Sequence, residues 1–402
     1  MLMDRLNSLS ESQRRGITVF FSIVSAAVVV ILMVRAATYY MMDVEVFQDA
    51  GWALRRGQDL YSEHFPTRSG YRFIYPPFAA LLFYPLTWAG PTTLQIIWTG
   101  ATIAAVWAML WMVATRLKLA KPTIVATALL GLAMLTNPLW ANVNFGQINV
   151  FLALLIVSDV LGFLPKQLRG LGIGIAAGIK ITPAAYALIF LVRKDYRAVL
   201  LSAMWFFVTA IIGFLLRFDE SIYYWTDEFF SGDRGGAPTY EANQAMSGLL
   251  ARAGITDPTL NMLTMGFFLL GAIAAAYCAW VLERRGQSVA ALAMVALAAS
   301  FAGPYAVSHH WSITIVFLPM LLVLRKPWQL IIGVLFFIAQ WWAPYNVFVG
   351  NPDGLATNPF EWAYGGMQGI MGFVVMVAFV YYAMTRRKAQ AVTTKDTVTF
   401  DA

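Results

Sequence analysis

The sequence predicts an all-α integral membrane protein, and composition and charge pattern are the observations that predict it. Of its 402 residues, 59% are hydrophobic and 12% are charged, and the mean hydropathy is +0.65. A soluble domain cannot hide that much apolar surface. Long apolar stretches alternate with short basic connections, so we expect a polytopic helical bundle of about ten full spans plus a re-entrant hairpin, or about twelve membrane helices.

The distribution of basic residues predicts the orientation of these spans. Lysine and arginine cluster at the short connections, which is typical of cytoplasmic loops. The net charge of +7 therefore reflects topology and predicts no nucleic-acid partner. With both termini in the cytoplasm, the predicted spans cover residues 16–35, 92–115, 122–140, 148–164, 198–216, 260–282, 289–307, 311–324, 330–342 and 362–384. We expect residues 1–388 to form one membrane domain and residues 389–402 a short cytoplasmic tail.

Two apolar stretches do not fit as single spans. Residues 73–88 begin with Tyr75-Pro76-Pro77, and we expect them to dip into the outer leaflet or lie along it. Residues 170–192 have basic residues at both ends and are broken by Lys180-Ile181-Thr182-Pro183. Interrupted backbone is tolerated in a membrane only where protein or a cavity surrounds it. This stretch therefore predicts a hairpin of two half-helices whose tip carries Lys180 into the bundle.

The predicted outward loops hold most of the remaining polar residues, and the outward cations are Arg35, Arg68, Arg72, Arg234 and Arg252. In the first of them, residues 36–72, apolar residues recur at helical spacing over residues 43–56 and predict an amphipathic helix on the membrane surface. Asp43 stands at its start, where a carboxylate is either a helix N-cap or a group with chemistry to perform. We expect Glu45 and Asp49 to be solvated or paired with Arg55 and Arg56.

The sequence contains no recognisable metal or cofactor motif. It has no Asp-x-Asp pair, no His-Glu-x-x-His motif and a single cysteine, Cys278, within an apolar run. It also lacks a Gly-rich phosphate loop that follows a strand. We therefore expect a metal-independent protein without a cofactor.

Several motifs along the chain are similar, in order, to those of glycosyltransferase family 87. They are Asp43 with Val46-Phe47 and Ala50-Gly51, Tyr75-Pro76-Pro77-Phe78, Asn144-Phe145-Gly146-Gln147-Ile148-Asn149, Lys180-Ile181-Thr182-Pro183, Asn243-Gln244-Ala245-Met246-Ser247-Gly248 and Ser308-His309-His310-Trp311. The resemblance extends from about Arg35 to Trp311.

The resemblance implies a GT-C fold in the cytoplasmic membrane with its active site on the extracytoplasmic side. It implies inverting transfer of mannose from a polyprenyl-phosphate-mannose donor to a mannosyl hydroxyl of a phosphatidylinositol mannoside, in α-1,2 linkage. Two alternatives remain at this point. In the first, the chain is a relative that transfers another lipid-linked sugar, such as arabinofuranose, to a cell-wall glycan. In the second, it is a glycolipid transporter without catalysis.

Displacing a phosphate from an anomeric carbon requires a base near the acceptor hydroxyl and cations near the departing phosphate. The resemblance favours Asp43 as the base. Lys180 is the leading phosphate ligand, because an ionisable group inside a membrane is usually functional, although a lysine can also extend to the interface. The other candidates are His309 and His310 as catalytic groups, Arg68 and Arg72 for the donor phosphate, and Asn144, Gln147, Asn149, Asn243 and Tyr75 for sugar or acceptor.

Overall fold

The structure is a computed structural model that describes residues 8–62, 64–231 and 236–395, with side chains up to residue 385. Its regular elements within these ranges are helices. The α-helices are α1 Glu11–Thr38, α2 Met42–Arg56, α3 Pro77–Phe83, α4 Pro91–Arg116, α5 Pro122–Met134, α6 Asn137–Phe145, α7 Asn149–Val160, α8 Leu171–Ile179, α9 Ala187–Val192, α10 Tyr196–Leu216, α11 Phe218–Thr226, α12 Met246–Arg252, α13 Thr259–Glu283, α14 Ser288–Leu297, α15 Phe317–Met320, α16 Pro327–Trp342, α17 Pro359–Gly365 and α18 Met367–Lys395.

Among the described residues, five helices are long and apolar enough to cross a membrane, so the chain is a multi-pass membrane protein. They are α1, α4, α10, α13 and the first part of α18. The number becomes six if α5 and α6, which meet at a bend of 75°, form one broken span. All of these agree with predicted spans. The other predicted spans coincide with apolar helices of 10–17 residues or with irregular segments, so the larger count stays a prediction.

The stretch predicted as a span at 311–324 has a different structure. It begins as a 3-10 helix, Ser308–Val316, and continues into the single turn of α15. The preceding predicted span, 289–307, is likewise a short helix, α14, that ends in a π-helical turn at Ala298–Ala302. Such irregular turns are frequent at functional sites. Here they bring the His309-His310 pair into the interior of the bundle.

The segment around Lys180 forms a hairpin. Its first arm is α8, its second arm is the 3-10 turn Thr182–Tyr186 followed by α9, and Lys180 stands at the break. Both open ends lie together, because Arg169 Nη1 and Asp195 Oδ2 are 3.1 Å apart. The first arm packs closely on α10, where a Cβ at Gly178 would lie 1.9 Å from Thr209 Oγ1. The hairpin therefore holds Lys180 at a fixed depth in the bundle.

Helix α2 starts one residue before the predicted position, and one of its faces is buried against other parts of the protein. Val44 and Phe47 are buried, and the Phe47 ring stacks on Phe83 with centroids 4.5 Å apart. A Cβ at Gly51 would lie 2.5 Å from the Phe83 carbonyl oxygen, so α2 and the end of α3 are in direct backbone contact. This packing orients the first turn of α2 toward the interior of the bundle.

Candidate active site

A continuous hydrogen-bond path joins residues from four separate segments. Gln147 Nε2 donates to Asp43 Oδ2 over 2.7 Å, and Asn149 Nδ2 donates to Gln147 Oε1 over 3.3 Å. Lys180 Nζ then donates to Asn149 Oδ1 over 3.2 Å and lies 3.1 Å from His310 Nε2. The structure thus brings together five of the residues that the sequence motifs nominated one by one.

Asp43 is not the N-cap of α2. The cap position belongs to Met41, and no side chain caps this helix. The Asp43 carboxylate instead faces Gln147, and it lies outside the five long helices. Burial raises the pKa of Asp43 to about 6, although the Gln147 hydrogen bond and the charge of Lys180 act in the opposite direction. A carboxylate with a pKa near neutrality is a suitable general base.

Gly146 sets the position of Gln147 against Asp43. It ends α6 with a φ of +71°, a conformation that glycine adopts without strain. A Cβ at this position would lie 2.8 Å from Val44 Cβ. The turn between α6 and α7 therefore contacts the first turn of α2 directly, and residues 147 and 149 face Asp43 from there.

Lys180 connects Asn149 to His310 in the path. Its ammonium group has only protons to donate, so Nε2 of His310 accepts and the proton of that neutral imidazole is on Nδ1. Lys180 Nζ also lies 5.9 Å from the centre of the Tyr75 ring, which is buried at the entrance of α3. The positive charge of Lys180 and the His310 ring therefore lie side by side at one end of the path, and Asp43 lies at the other end.

The segment that contains Asn243 contacts the residues just before the histidine pair. Asn243 forms an isolated antiparallel bridge with Val307, and its Oδ1 accepts the N–H of Ala306. His309 packs edge-on against His310, with ring centroids 4.7 Å apart, and against Phe145. His310 is the member of the pair that joins the hydrogen-bond path.

Asn243, which the sequence predicts to contact sugar or acceptor, is buried and lies off the hydrogen-bond path. Asn243 is 0% exposed, and its amide nitrogen donates to Pro238 O and Ser247 Oγ. With its oxygen also engaged by backbone N–H groups, the side chain has its hydrogen-bonding capacity used within the protein. Asn243 supports the histidine segment, and its contact with sugar or acceptor stays a prediction.

The arginines predicted to bind the donor phosphate lie in other surroundings. Arg68 Nε is 2.6 Å from Asp49 Oδ1, and its Nη1 is 3.7 Å from Glu45. Because two carboxylates contact it, Arg68 fastens the loop after α2 to that helix, and its assignment as a phosphate ligand stays a prediction. Arg72 is exposed. Arg55 and Arg56 stack on Trp52. The sequence predicts Glu45 and Asp49 to be solvated or paired with these two arginines, but they contact Arg68 instead.

Asn144 is engaged by an arginine that sequence reasoning placed only on the outer side. Arg35 Nη2 donates to Asn144 Oδ1 over 3.2 Å, and its guanidinium lies over the rings of Tyr39 and Trp140. This pair stands at the end of α6, two residues before the Gly146 turn. Arg234, another predicted outward cation, lies outside the described residues.

A small cavity of about 90 Å³ adjoins Lys180 and His310. Tyr305, Ser300 and Ser312 contribute polar groups to its wall, and Leu152, Ile156 and Ile313 contribute apolar ones. No signal in the sequence identifies these residues, because nothing in their spacing relates them to the Lys180 motif. Among the described residues, no group of three or more His, Cys, Asp or Glu side chains is placed to hold a metal ion.

Comparisons with known proteins bear on this site. The family model described as glycosyltransferase family 87 matches residues 73–308. The chain is also 32% identical over 312 residues to the polyprenol-phosphate-mannose-dependent alpha-(1-2)-phosphatidylinositol mannoside mannosyltransferase of Mycolicibacterium smegmatis, covering 71% of this chain and 69% of that protein. The chain belongs to glycosyltransferase family 87. The resemblance that the motifs indicated is therefore confirmed.

Two further relatives are similar to this family 87 member. The Mycobacterium tuberculosis protein with the same description is 32% identical over 296 residues, 68% of each chain. A polyprenol-phosphate-mannose-dependent alpha-(1-2)-phosphatidylinositol pentamannoside mannosyltransferase of M. smegmatis is 30% identical over 239 residues, 60% of this chain and 58% of that protein. The family match includes Tyr75, Gln147, Asn149 and Lys180, whereas Asp43 and the histidine pair flank it.

Proposed function

We propose that this family 87 member transfers mannose from polyprenyl-phosphate-mannose to a mannosyl hydroxyl of a phosphatidylinositol mannoside, forming an α-1,2 linkage with inversion. The hydrogen-bond path from Asp43 to Lys180 and His310 carries the proposal. It places a carboxylate and a cation in one site, which an acceptor hydroxyl and a leaving phosphate require. The donor and acceptor classes are those that the related mannosyltransferases are named for, and membrane lipids are the expected surroundings of the site.

The reaction is a single displacement. The acceptor hydroxyl gives its proton to the Asp43 carboxylate while its oxygen attacks the anomeric carbon of the donor mannose. The bond from that carbon to the phosphate oxygen breaks, and polyprenyl phosphate leaves with the electron pair. Lys180 balances the growing negative charge, and the Nδ1 proton of His310 is available to the same phosphate. A β-linked donor then gives an α-linked product without a covalent enzyme intermediate.

The residues divide by role in this proposal. Asp43 is the base, Lys180 and His310 face the leaving phosphate, and Gln147 and Asn149 hold the two halves of the site together. Tyr75 and His309 form its walls, and Asn144 with Arg35 and the exposed Arg72 lie toward the acceptor side. Substrate carried by a membrane lipid suits a site reached from within a bundle of apolar helices.

The experiment that tests this proposal is a transfer assay with purified protein. Polyprenyl-phosphate-mannose and a phosphatidylinositol mannoside should yield a product with one more mannose, and an α-1,2-specific mannosidase should remove it. EDTA should leave the rate unchanged. Transfer only from a lipid-linked arabinofuranose would reject the donor assignment. Glycolipid movement across vesicles without any sugar transfer would instead support a transporter.

We further infer a GT-C-type bundle in the cytoplasmic membrane, formed by residues 1–388 with a short cytoplasmic tail at 389–402, and a site on the extracytoplasmic side. Single cysteines in a Cys278→Ala background test this topology. A membrane-impermeant maleimide added to intact cells should label Arg72→Cys and Asn351→Cys, and it should label Lys166→Cys and Arg285→Cys only after lysis. Labelling of Lys166→Cys, beside the open ends of the Lys180 hairpin, in intact cells would reverse the assigned orientation.

A further inference from the structure

A second, much larger cavity lies at the opposite end of the bundle from the Asp43 path. Its volume is about 940 Å³, which falls in the range of roughly 300–1,000 Å³ that is usual for ligand sites. Helix α7 begins at Asn149, on the path, and ends at Val160, in the wall of this cavity. At 1.5 Å per residue that helix separates the two by about 17 Å. The cavity is therefore a separate site.

The rim of this cavity carries only positive charge. Six cationic side chains line it, and no carboxylate does so among the described residues. They are Arg116, Lys118, Arg169, Arg193, Arg325 and Lys326. Arg193 is paired with Glu283 and Arg169 with Asp195, which lie outside the lining. Within the described part of the chain, Arg116, Lys118, Arg325 and Lys326 have no ion-pair partner, so about four charges remain for a ligand. Arg116 Nε donates to the backbone oxygen of Leu161, and the three others are the cations most available to a phosphate.

The interior of the cavity is apolar. Its walls include Phe317, Phe336, Phe337 and Phe379, together with leucine, valine and isoleucine side chains. Water makes poor hydrogen bonds against such walls, and apolar cavities tend to stay dry unless an apolar ligand fills them. Basic loop residues alone would be explained by topology. A cationic rim beside apolar walls suits an occupant with both an anionic and a hydrocarbon part.

We propose that this cavity binds one anionic membrane phospholipid, with its phosphate at the Lys118, Arg325 and Lys326 rim and an acyl chain against the phenylalanines. The rim lies at the end of the membrane-spanning helix α4, which is the depth of a lipid head group. Basic pockets between membrane helices are known to bind such head groups. The bound lipid would hold the ends of α4, α16 and α18 together.

Native mass spectrometry of the detergent-purified full chain tests this site. One phosphatidylglycerol should bind at least about tenfold more tightly than phosphatidylcholine with identical acyl chains, because the rim selects negative charge. The double variant Lys118→Gln/Lys326→Gln should lose that preference. Ala378→Phe, which fills the cavity without changing charge, should weaken the binding of both lipids.

The matched control is Lys121→Gln/Lys166→Gln. It removes the same charge from exposed lysines that do not line the cavity, and Lys121 has a positive φ of 54° as Lys118 has one of 55°. Equal losses of lipid preference in both double variants, or equal binding of the two lipids, would refute the proposed phospholipid site. Displacement of phosphatidylglycerol by soluble glycerol phosphate would identify a free-phosphate site instead. Because the assay measures binding without turnover, its outcome is independent of the mannosyltransferase proposal.

Discussion

Asp43→Asn should lower the turnover of mannosyl transfer at least about a hundredfold, because general-base assistance contributes on the order of 10²- to 10⁴-fold. The substitution keeps the side-chain shape, and the asparagine oxygen can still accept the hydrogen bond of Gln147 Nε2, which spans 2.7 Å in the structure. Expression, membrane insertion and melting temperature should therefore stay close to wild type. Initial rates at saturating donor and acceptor give the comparison.

The matched control is Asp219→Asn. Asp219 is an exposed residue that, like Asp43, stands second in its helix, α11. It should cost little activity, because it lacks a place on the hydrogen-bond path. If Asp43→Asn retained more than about a tenth of wild-type turnover, the base assignment would be wrong. The next candidates for the base would be the other carboxylates of the same segment, Glu45, Asp49 and Asp59.

The pH profile offers an independent check on the same residue. The base must be ionised, and burial raises the pKa of Asp43 to about 6. Turnover should therefore rise with pH through about 6 and level off above it, being lost as the pH falls and Asp43 becomes protonated. Asp43→Asn should abolish that limb of the profile. A wild-type rate that stayed flat between pH 5 and 7, on the order of a unit either side of that pKa, would contradict it.

The sequence motifs identified the members of the site but not their partners. Asp43, Lys180 and His310 lie in separate motifs, more than a hundred residues apart in sequence. Each was recognisable locally, as a carboxylate at a helix start, a lysine at a membrane-helix break or a histidine pair. Their hydrogen bonds depend on long-range packing, such as the contact between Gly146 and Val44. No local pattern encodes that contact.

Some residues predicted for the site lie off the hydrogen-bond path, and this difference has one physical cause. A polar residue in an outer loop has the same sequence signature whether it faces a ligand or is buried in the protein. Asn243 and Arg68 were both nominated on that basis, yet the first supports backbone at Ala306 and the second neutralises Asp49. Burial and pairing follow from the tertiary structure, so only the structure separates such supporting residues from those on the path.

The number of spans was also harder to predict than their apolar character. Hydropathy marked the five long helices correctly, because about 20 apolar residues suffice to identify a span. Elsewhere the apolar stretches fold as short, bent or 3-10 segments, as at Ser308–Val316. Composition does not distinguish a straight helix from one that is interrupted inside a bundle. These interruptions carry Lys180 and His310, so the least regular segments are those closest to the proposed chemistry.

Removing the charge of Lys180 should weaken donor use in both binding and catalysis. Lys180→Ala should raise the KM for polyprenyl-phosphate-mannose and lower kcat together, since in the proposed mechanism the ammonium group contacts the phosphate in the bound state and more strongly as it leaves. Lys180→Met preserves volume and should be similarly poor, whereas Lys180→Arg should rescue only partly because a planar guanidinium presents its charge differently. Lys166→Ala, on the exposed 3-10 turn before α8, should leave the donor kinetics unchanged.

A double-mutant cycle then tests whether Lys180 and His310 act as a unit. Their nitrogens are 3.1 Å apart, so the losses in Lys180→Ala and His310→Ala should be strongly non-additive, with the double variant little worse than either single one. His309→Ala serves as the control, because His309 contacts His310 and Phe145 by ring packing. It should cost less than His310→Ala and combine additively with Lys180→Ala. Additive losses for His310, or a larger loss at His309, would assign the phosphate contact to the other histidine.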